Sequence, residues 1–369
     1  MSRRSGHRGA APHVERREVG PVPQVIRTTA ARTAAAAVTS TLVAVLATGC
    51  GQSFAEANKS KDSGVGLAFD IGGRDDHSFN ESAARGVDEA EKKLGVKAKM
   101  LTAKNGETEA DREQRLTSFA EAGYDPVIGV GFAYSQSVQK VAADFPDTTF
   151  GVVEAVPEGK NVNAMVFAEH EGSYLAGVAA ALKSKSHKVG FIGGVNNALI
   201  QKFEAGFVQG VKDTDPKAKI VSQYLYPNND KGFNDPAAAK AKANGMLDRG
   251  IDVIYTAAGQ SGAGSIEAVA KKKGAWAIGV DSDQYRQTGL RKYRDRILTS
   301  VVKNVDVAVL DLVKRVEEGK KPGGVHTYDV RRDGVTLATS GGFIDDIKDE
   351  IGEARKRIVD GKVKVKESP

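Results

Sequence analysis

Disulfide chemistry and membrane-spanning length are what this chain lacks. Its 369 residues include one cysteine, Cys50. An internal disulfide is therefore ruled out, which suits an exported protein held together by packing alone. The longest run of small and apolar residues, 33–46, is about fourteen residues, too short for a permanent bilayer span of ~20 residues. An excess of charge of one sign is also lacking outside the leader. The net charge is +6, but residues 1–50 hold seven Arg against two Glu. The remainder is close to neutral, which argues against a nucleic-acid partner. No P-loop, fixed-period repeat, helix-turn-helix or kinase segment is present.

What is there begins with the leader. Arg27 and Arg32 precede the apolar run, and Ala47, Thr48 and Gly49 lead into Cys50. A basic start, a short apolar core and small residues form an export signal. Ending on a cysteine, the segment resembles a bacterial lipobox, in which the Cys is acylated and becomes the first mature residue. A Leu usually stands three places before that Cys, where this chain has Ala47. The expectation is a signal peptide over 1–49, lipidation at Cys50 and a flexible polar tether over 50–63.

From Gly64 onward, short β-rich runs alternate with helical stretches. The runs "VGLAF", "KAKMLT", "PVIGVG", "TTFGVVE" and "VNAMVF" read as strands, with helices near 79–94, 107–122 and 134–144. A second series, "KVGFIGG", "KIVSQYLY", "DVIYTAAG", "WAIGVDSD" and "ILTSVV", carries helices near 198–213, 235–249, 262–273 and 304–319. Such alternation predicts an α/β protein of two doubly wound parallel-sheet lobes. The C-terminal part reads as two short strands and an amphipathic helix. The expected lobes are 64–168 plus about 299–320, and 169–298 plus about 321–369. Ligands of doubly wound sheets bind outside the carboxyl ends of the strands. The segments "DIGGRDDHSFN", "GVGFAYSQS", "VVEAV", "TAAGQSGAG" and "GVDSDQ" all fall there, so a cleft between the lobes is predicted.

Catalytic and metal-binding patterns are weak. In "GQSGAG" the second Gly comes one residue too early for a nucleophile elbow. "GVGF" is too short for a dinucleotide fingerprint. Glu169, His170 and Glu171 are adjacent on a helix and point different ways, so they read as a solvated helix start. Asp281 and Asp283 could bind a divalent cation only with more oxygens nearby; a sugar or ribose is a simpler partner for such carboxylates. No catalytic residue, metal or cofactor is expected.

Several segments together carry a resemblance: "DDHSFNESAARG", "IGVGF", "FAEHEGSYLAGVAAALKSKSHKVGFIGG", "FEAGFVQGVK", "YPNNDKGFNDPAAAKAKANGMLDRGIDVIYTAAGQSGAG", "AIGVDSDQ" and "LTSVVKNVDVAV". Their types and order resemble the basic membrane protein family of lipoproteins, which is similar to purine nucleoside receptor A, a substrate-binding subunit of nucleoside ABC importers. The resemblance covers residues 64–343. It implies a type I periplasmic-binding-protein fold with two lobes and three crossovers, and a nucleoside held between them. Residue by residue it implies that Asp70, Ser78, Phe79 and Asn80 match the family's loop, with Phe79 stacking on the purine. Glu154 stands where the family commonly has an acid that reads the base. Asp283 and Lys303 match the pair that grips the ribose, and Tyr255 lies where the family places a second aromatic. The implied protein is a monomer, lipid-anchored outside the cytoplasm, that delivers its nucleoside to ABC permease and ATPase subunits. Other readings keep the fold and change the ligand to a sugar, an amino acid or an autoinducer-like furanose, or make the chain a ligand sensor or a nucleoside hydrolase.

Overall fold

The computed structural model describes residues 64–369 except Asn105. The expected signal peptide, Cys50 and tether lie outside the described residues.

The first sheet opens with β1 (Val65–Ala68), whose residues are all buried. It is followed by α1 (Phe79–Leu94), β2 (Ala98–Leu101), α2 (Glu109–Glu121), β3 (Val127–Gly129), α3 (Ser135–Asp144), β4 (Phe150–Val153) and β5 (Val162–Phe167). The interior strands β1, β3 and β4 hold only apolar residues and glycine because helices cover both faces of a parallel sheet. Each helix has its own start and stop. Gly95 ends α1 at φ 71°, a left-handed position glycine adopts without steric cost. Thr108 and Asp111 form a reciprocal capping box at α2, satisfying two N-terminal amides.

The chain then crosses into α4 (Glu169–Lys183), β6 (Lys188–Val195), α5 (Ala198–Thr214), β7 (Lys219–Tyr226), α6 (Pro236–Asp248), β8 (Val253–Ala257), α7 (Gly262–Ala270), β9 (Trp276–Asp281) and β10 (Ile297–Lys303). Helices α4 and α5 pack backbone to backbone. A Cβ on Gly206 would lie 2.0 Å from the His170 carbonyl oxygen, and one on Gly210 would lie 2.1 Å from that of Tyr174. The last elements are α8 (Val305–Glu317), β11 (Gly324–Tyr328), β12 (Val335–Leu337) and α9 (Lys348–Val359).

The sheet orders are β11-β5-β4-β3-β1-β2 and β12-β10-β9-β8-β6-β7. All pairings are parallel except β12 with β10. This is the two-lobed architecture the resemblance implies, but the C-terminal boundaries move. Strand β10 belongs to the second sheet rather than to lobe 1, because its mostly buried run needs neighbours on both sides, β9 and β12. Strand β11 belongs to the first sheet beside β5 rather than to lobe 2. Helix α8 packs on α1 of the first lobe and α9 on α4 of the second. The chain therefore crosses at Ala168, at Asn304 and over Asp329–Gly334. Main-chain hydrogen bonds from Ala168 N to Tyr328 O (3.0 Å) and from Asn304 N to Gly334 O (3.0 Å) tie these crossings together.

Candidate functional site

The opening loop first satisfies itself. The Asp76 carboxylate accepts from the main-chain N–H groups of Ser78 (2.8 Å), Asn80 (2.9 Å) and Glu81 (3.0 Å). It thereby supplies partners for the first amides of α1, which otherwise have none. Asn80 Oδ1 accepts from Asp70 N (2.9 Å), and its Nδ2 donates to Ile71 O (3.2 Å) and Asp76 Oδ2 (3.0 Å). The Asn80 amide is thus committed to bracing the loop. The same bracing fixes the start of α1 and with it Phe79, half-buried on the wall of a cavity between the lobes.

That cavity has a volume of about 90 Å³. It is built from strand ends, as the doubly wound rule requires. Glu154 directly follows β4, β9 ends at Asp281 and β10 ends at Lys303. Glu154 and Asp281 have φ of 69° and 64°, left-handed values uncommon for residues with a side chain. The geometry turns both acids to the Lys303 ammonium. Lys303 touches Glu154 Oε1 and lies 3.7 Å from Asp281 Oδ1 and 3.8 Å from Glu169 Oε1. Its Nζ also stands 5.1 Å from the Phe79 ring centroid and 5.2 Å from that of Phe203, positions favourable for cation–π attraction.

Burial dominates the electrostatics. It pushes the carboxyls of Asp70, Glu169 and Asp281 up to about 7 and the Lys303 ammonium down to about 7. Ser78 Oγ donates to Asp281 Oδ2 at 2.9 Å and works against the burial of that acid. This bond runs from the first lobe to the second.

Of the eight expected ligand residues, Asp70, Ser78, Phe79, Asn80, Glu154 and Lys303 line the cavity. Tyr255 does not. It sits in the middle of β8, fully buried against Phe191 and Phe207, with its hydroxyl 3.2 Å from Ser173 Oγ. The wall starts two residues later, at Ala257. Asp283 does not line the cavity either. It accepts from Ser340 Oγ (2.6 Å) and pairs with Arg286 Nε (3.1 Å). The chain has turned away after β9, so the acid facing the cavity is Asp281.

Glu169 corrects another expectation, since it is 1 % exposed rather than solvated. Phe132, in the strand-end segment "GVGFAYSQS", supplies aromatic wall, and so do Phe203 and Phe233, which the strand-end segments do not include. Phe203 lies near the start of α5, whose N-terminus faces the strand ends, and that placement was the available signal. Ser261, the serine of "GQSGAG", is structural: it donates to Gly232 O and accepts from Asp235 N, both at 2.7 Å. Among the described residues, no group of three or more His, Cys, Asp and Glu could hold a metal ion.

Two six-stranded lobes with a polar-and-aromatic cleft between their strand ends define a solute-binding protein. Residues 65–369 match the family described as "ABC transporter substrate-binding protein PnrA-like", and the chain belongs to that family. It is 37% identical over 331 residues to the "CD4+ T-cell-stimulating antigen" of Listeria innocua, covering 84% of this chain and 90% of that one. It is 34% identical over 352 residues to the "ABC transporter nucleoside-binding protein BmpA" of Lactococcus lactis, covering 90% and 97%. Among solved structures, a solute-binding protein of an ABC transporter system from Aeropyrum pernix superposes with a TM-score of 0.70 at 26% identity, covering 82% of this chain and 92% of that one. Membership implies a small ligand and a permease with its ATPase as partners.

Proposed function

We propose that the cleft binds a nucleoside, with the base against Phe79 and the pentose hydroxyls on Asp281. The observation that carries this reading is that an aromatic face and a buried carboxylate open into one cavity, with Lys303 set between them. A carboxylate can accept from two neighbouring hydroxyls at once, and such charge-assisted bonds are stronger than neutral ones. Lys303 steadies that acid and donates to a pentose oxygen. Glu154, beside Lys303, accepts a base N–H, and Asp70 faces the remaining edge. The nucleoside-binding relative in Lactococcus lactis supports the ligand class.

Binding works through closure. A ligand touching both lobes favours the closed arrangement by its differential contacts, and a permease reads that shape. In the proposed setting, acylation of Cys50 keeps the protein at the outer face of the membrane, and the tether gives it reach. A thermal-shift panel of nucleosides, free bases and sugars tests the ligand class. A nucleoside at 100 times its Kd adds about 2.7 kcal/mol of stability. Stabilisation by inosine or guanosine, but not by ribose or hypoxanthine at equal concentration, is expected. Stabilisation by a sugar alone would overturn the reading.

A further inference from the structure

A second set of contacts bridges the lobes outside the cavity. The main-chain carbonyl of His77, in the first lobe, accepts from Ser282 Oγ at 2.9 Å and from Gln287 Nε2, both in the second lobe. Gln287 Nε2 also donates to Ser282 Oγ at 2.7 Å. None of these three residues lines the cavity. His77 holds φ 54°, a left-handed conformation that a residue with a side chain rarely keeps without a local reason.

The loop carrying the two donors is braced from behind. Asp283 accepts from Ser340 Oγ and pairs with Arg286, whose Nε also donates to Ser340 Oγ at 2.9 Å. The Gln284 main-chain N–H donates to Ser300 Oγ at 3.2 Å. The loop therefore leaves β9 at Asp281, presents Ser282 and Gln287 to the facing lobe, and is anchored to its own lobe by Asp283.

We propose that Ser282 and Gln287 are positioning residues: they clasp the His77 carbonyl, hold the cleft shut, and set ligand affinity and residence time without touching the ligand. The contacts are available only when the lobes meet, so they add to the closed state alone. A free-energy difference between open and closed states transmits directly to apparent affinity. Because the clasp does not contact the ligand, it tightens every ligand by the same factor. Asp283, in this account, acts through the clasp.

The proposal rests on the cleft binding a nucleoside only for its titration arm. Gln287→Glu keeps the size and removes the donor; Gln287→Ala removes the side chain. Both variants of the full chain are expected to bind inosine about tenfold more weakly than wild type, mainly through faster dissociation. Tenfold corresponds to about 1.4 kcal/mol, the scale of one or two neutral hydrogen bonds. The ratio of affinities for inosine and 2′,3′-dideoxyinosine should stay unchanged. An unchanged dissociation rate would overturn the clasp, and so would a changed ratio, because it would place Gln287 on the ligand. If wild-type protein fails to bind inosine, the ligand reading fails instead. Small-angle scattering of the ligand-free chain then decides: a larger radius of gyration in both variants supports the clasp, and an unchanged radius overturns it.

Discussion

Asp281 and Asp283 stand two residues apart, and the structure assigns them different work. Replacing Asp281 by Asn preserves its shape and its bond from Ser78 Oγ while removing the charge that faces the cavity. Lys303 is not left alone, because Glu154 and Glu169 remain beside it. The loss therefore falls on the ligand. Two charge-assisted hydrogen bonds to pentose hydroxyls contribute about 1.5–3 kcal/mol each. The amide retains some accepting capacity, so a net loss of about 2–4 kcal/mol is expected, or roughly 30- to 700-fold in Kd. Asp283 is a partly exposed carboxylate paired with Arg286 and Ser340. Pairs of that kind are worth about 0–1 kcal/mol, so Asp283→Asn should weaken binding less than about fivefold. Isothermal titration of each variant with inosine measures both. An Asp283 variant that loses as much as the Asp281 variant, or an Asp281 variant that binds like wild type, would refute the assignment.

Phe79→Ala removes a stacking face worth ~1–3 kcal/mol per base; inosine affinity should fall at least fivefold with the fold intact, and an unchanged Kd would remove Phe79 from the site. Tyr255→Phe should cost about 1 kcal/mol of stability through the lost bond to Ser173 and leave affinity unchanged; a loss of affinity beyond about fivefold would return Tyr255 to the cleft. Stability should also depend on pH through Glu169. Burial raises its carboxyl from 4.5 to about 7, so the folded chain binds more protons than the unfolded chain in that interval. Stability present below pH 4.5 is then lost as pH rises to 7. Glu169→Gln should flatten that limb by up to about 3 kcal/mol, read from urea midpoints at pH 5 and 7; identical slopes in variant and wild type would refute the buried acid. Lys303, lowered toward 7, shapes the curve above that window, where stability rises with pH.

Much of this was legible from local pattern. The eleven-residue loop from Asp70 to Asn80 announced a site because a turn alone does not need an aromatic, and α1 does begin at Phe79. Local pattern failed where side-chain parity or distant partners decide. Strand ends are uncertain by a residue or two from sequence, and that uncertainty separates Asp281 from Asp283 and Ala257 from Tyr255. Glu169 reads as a solvated helix start because its partners Lys202 and Lys303 are 33 and 134 residues away in the chain. Strand β10 was split across lobes because a short apolar run does not reveal which sheet it joins; its neighbours β9 and β12 settle that.

A crystal structure of the chain grown with inosine tests the central claim most directly. The account predicts the purine within stacking distance of Phe79 and both pentose hydroxyls within 3.2 Å of the Asp281 carboxylate, the outer limit of ordinary hydrogen-bond distances. Inosine bound away from this cavity, or seated in it with the pentose remote from Asp281, would contradict it.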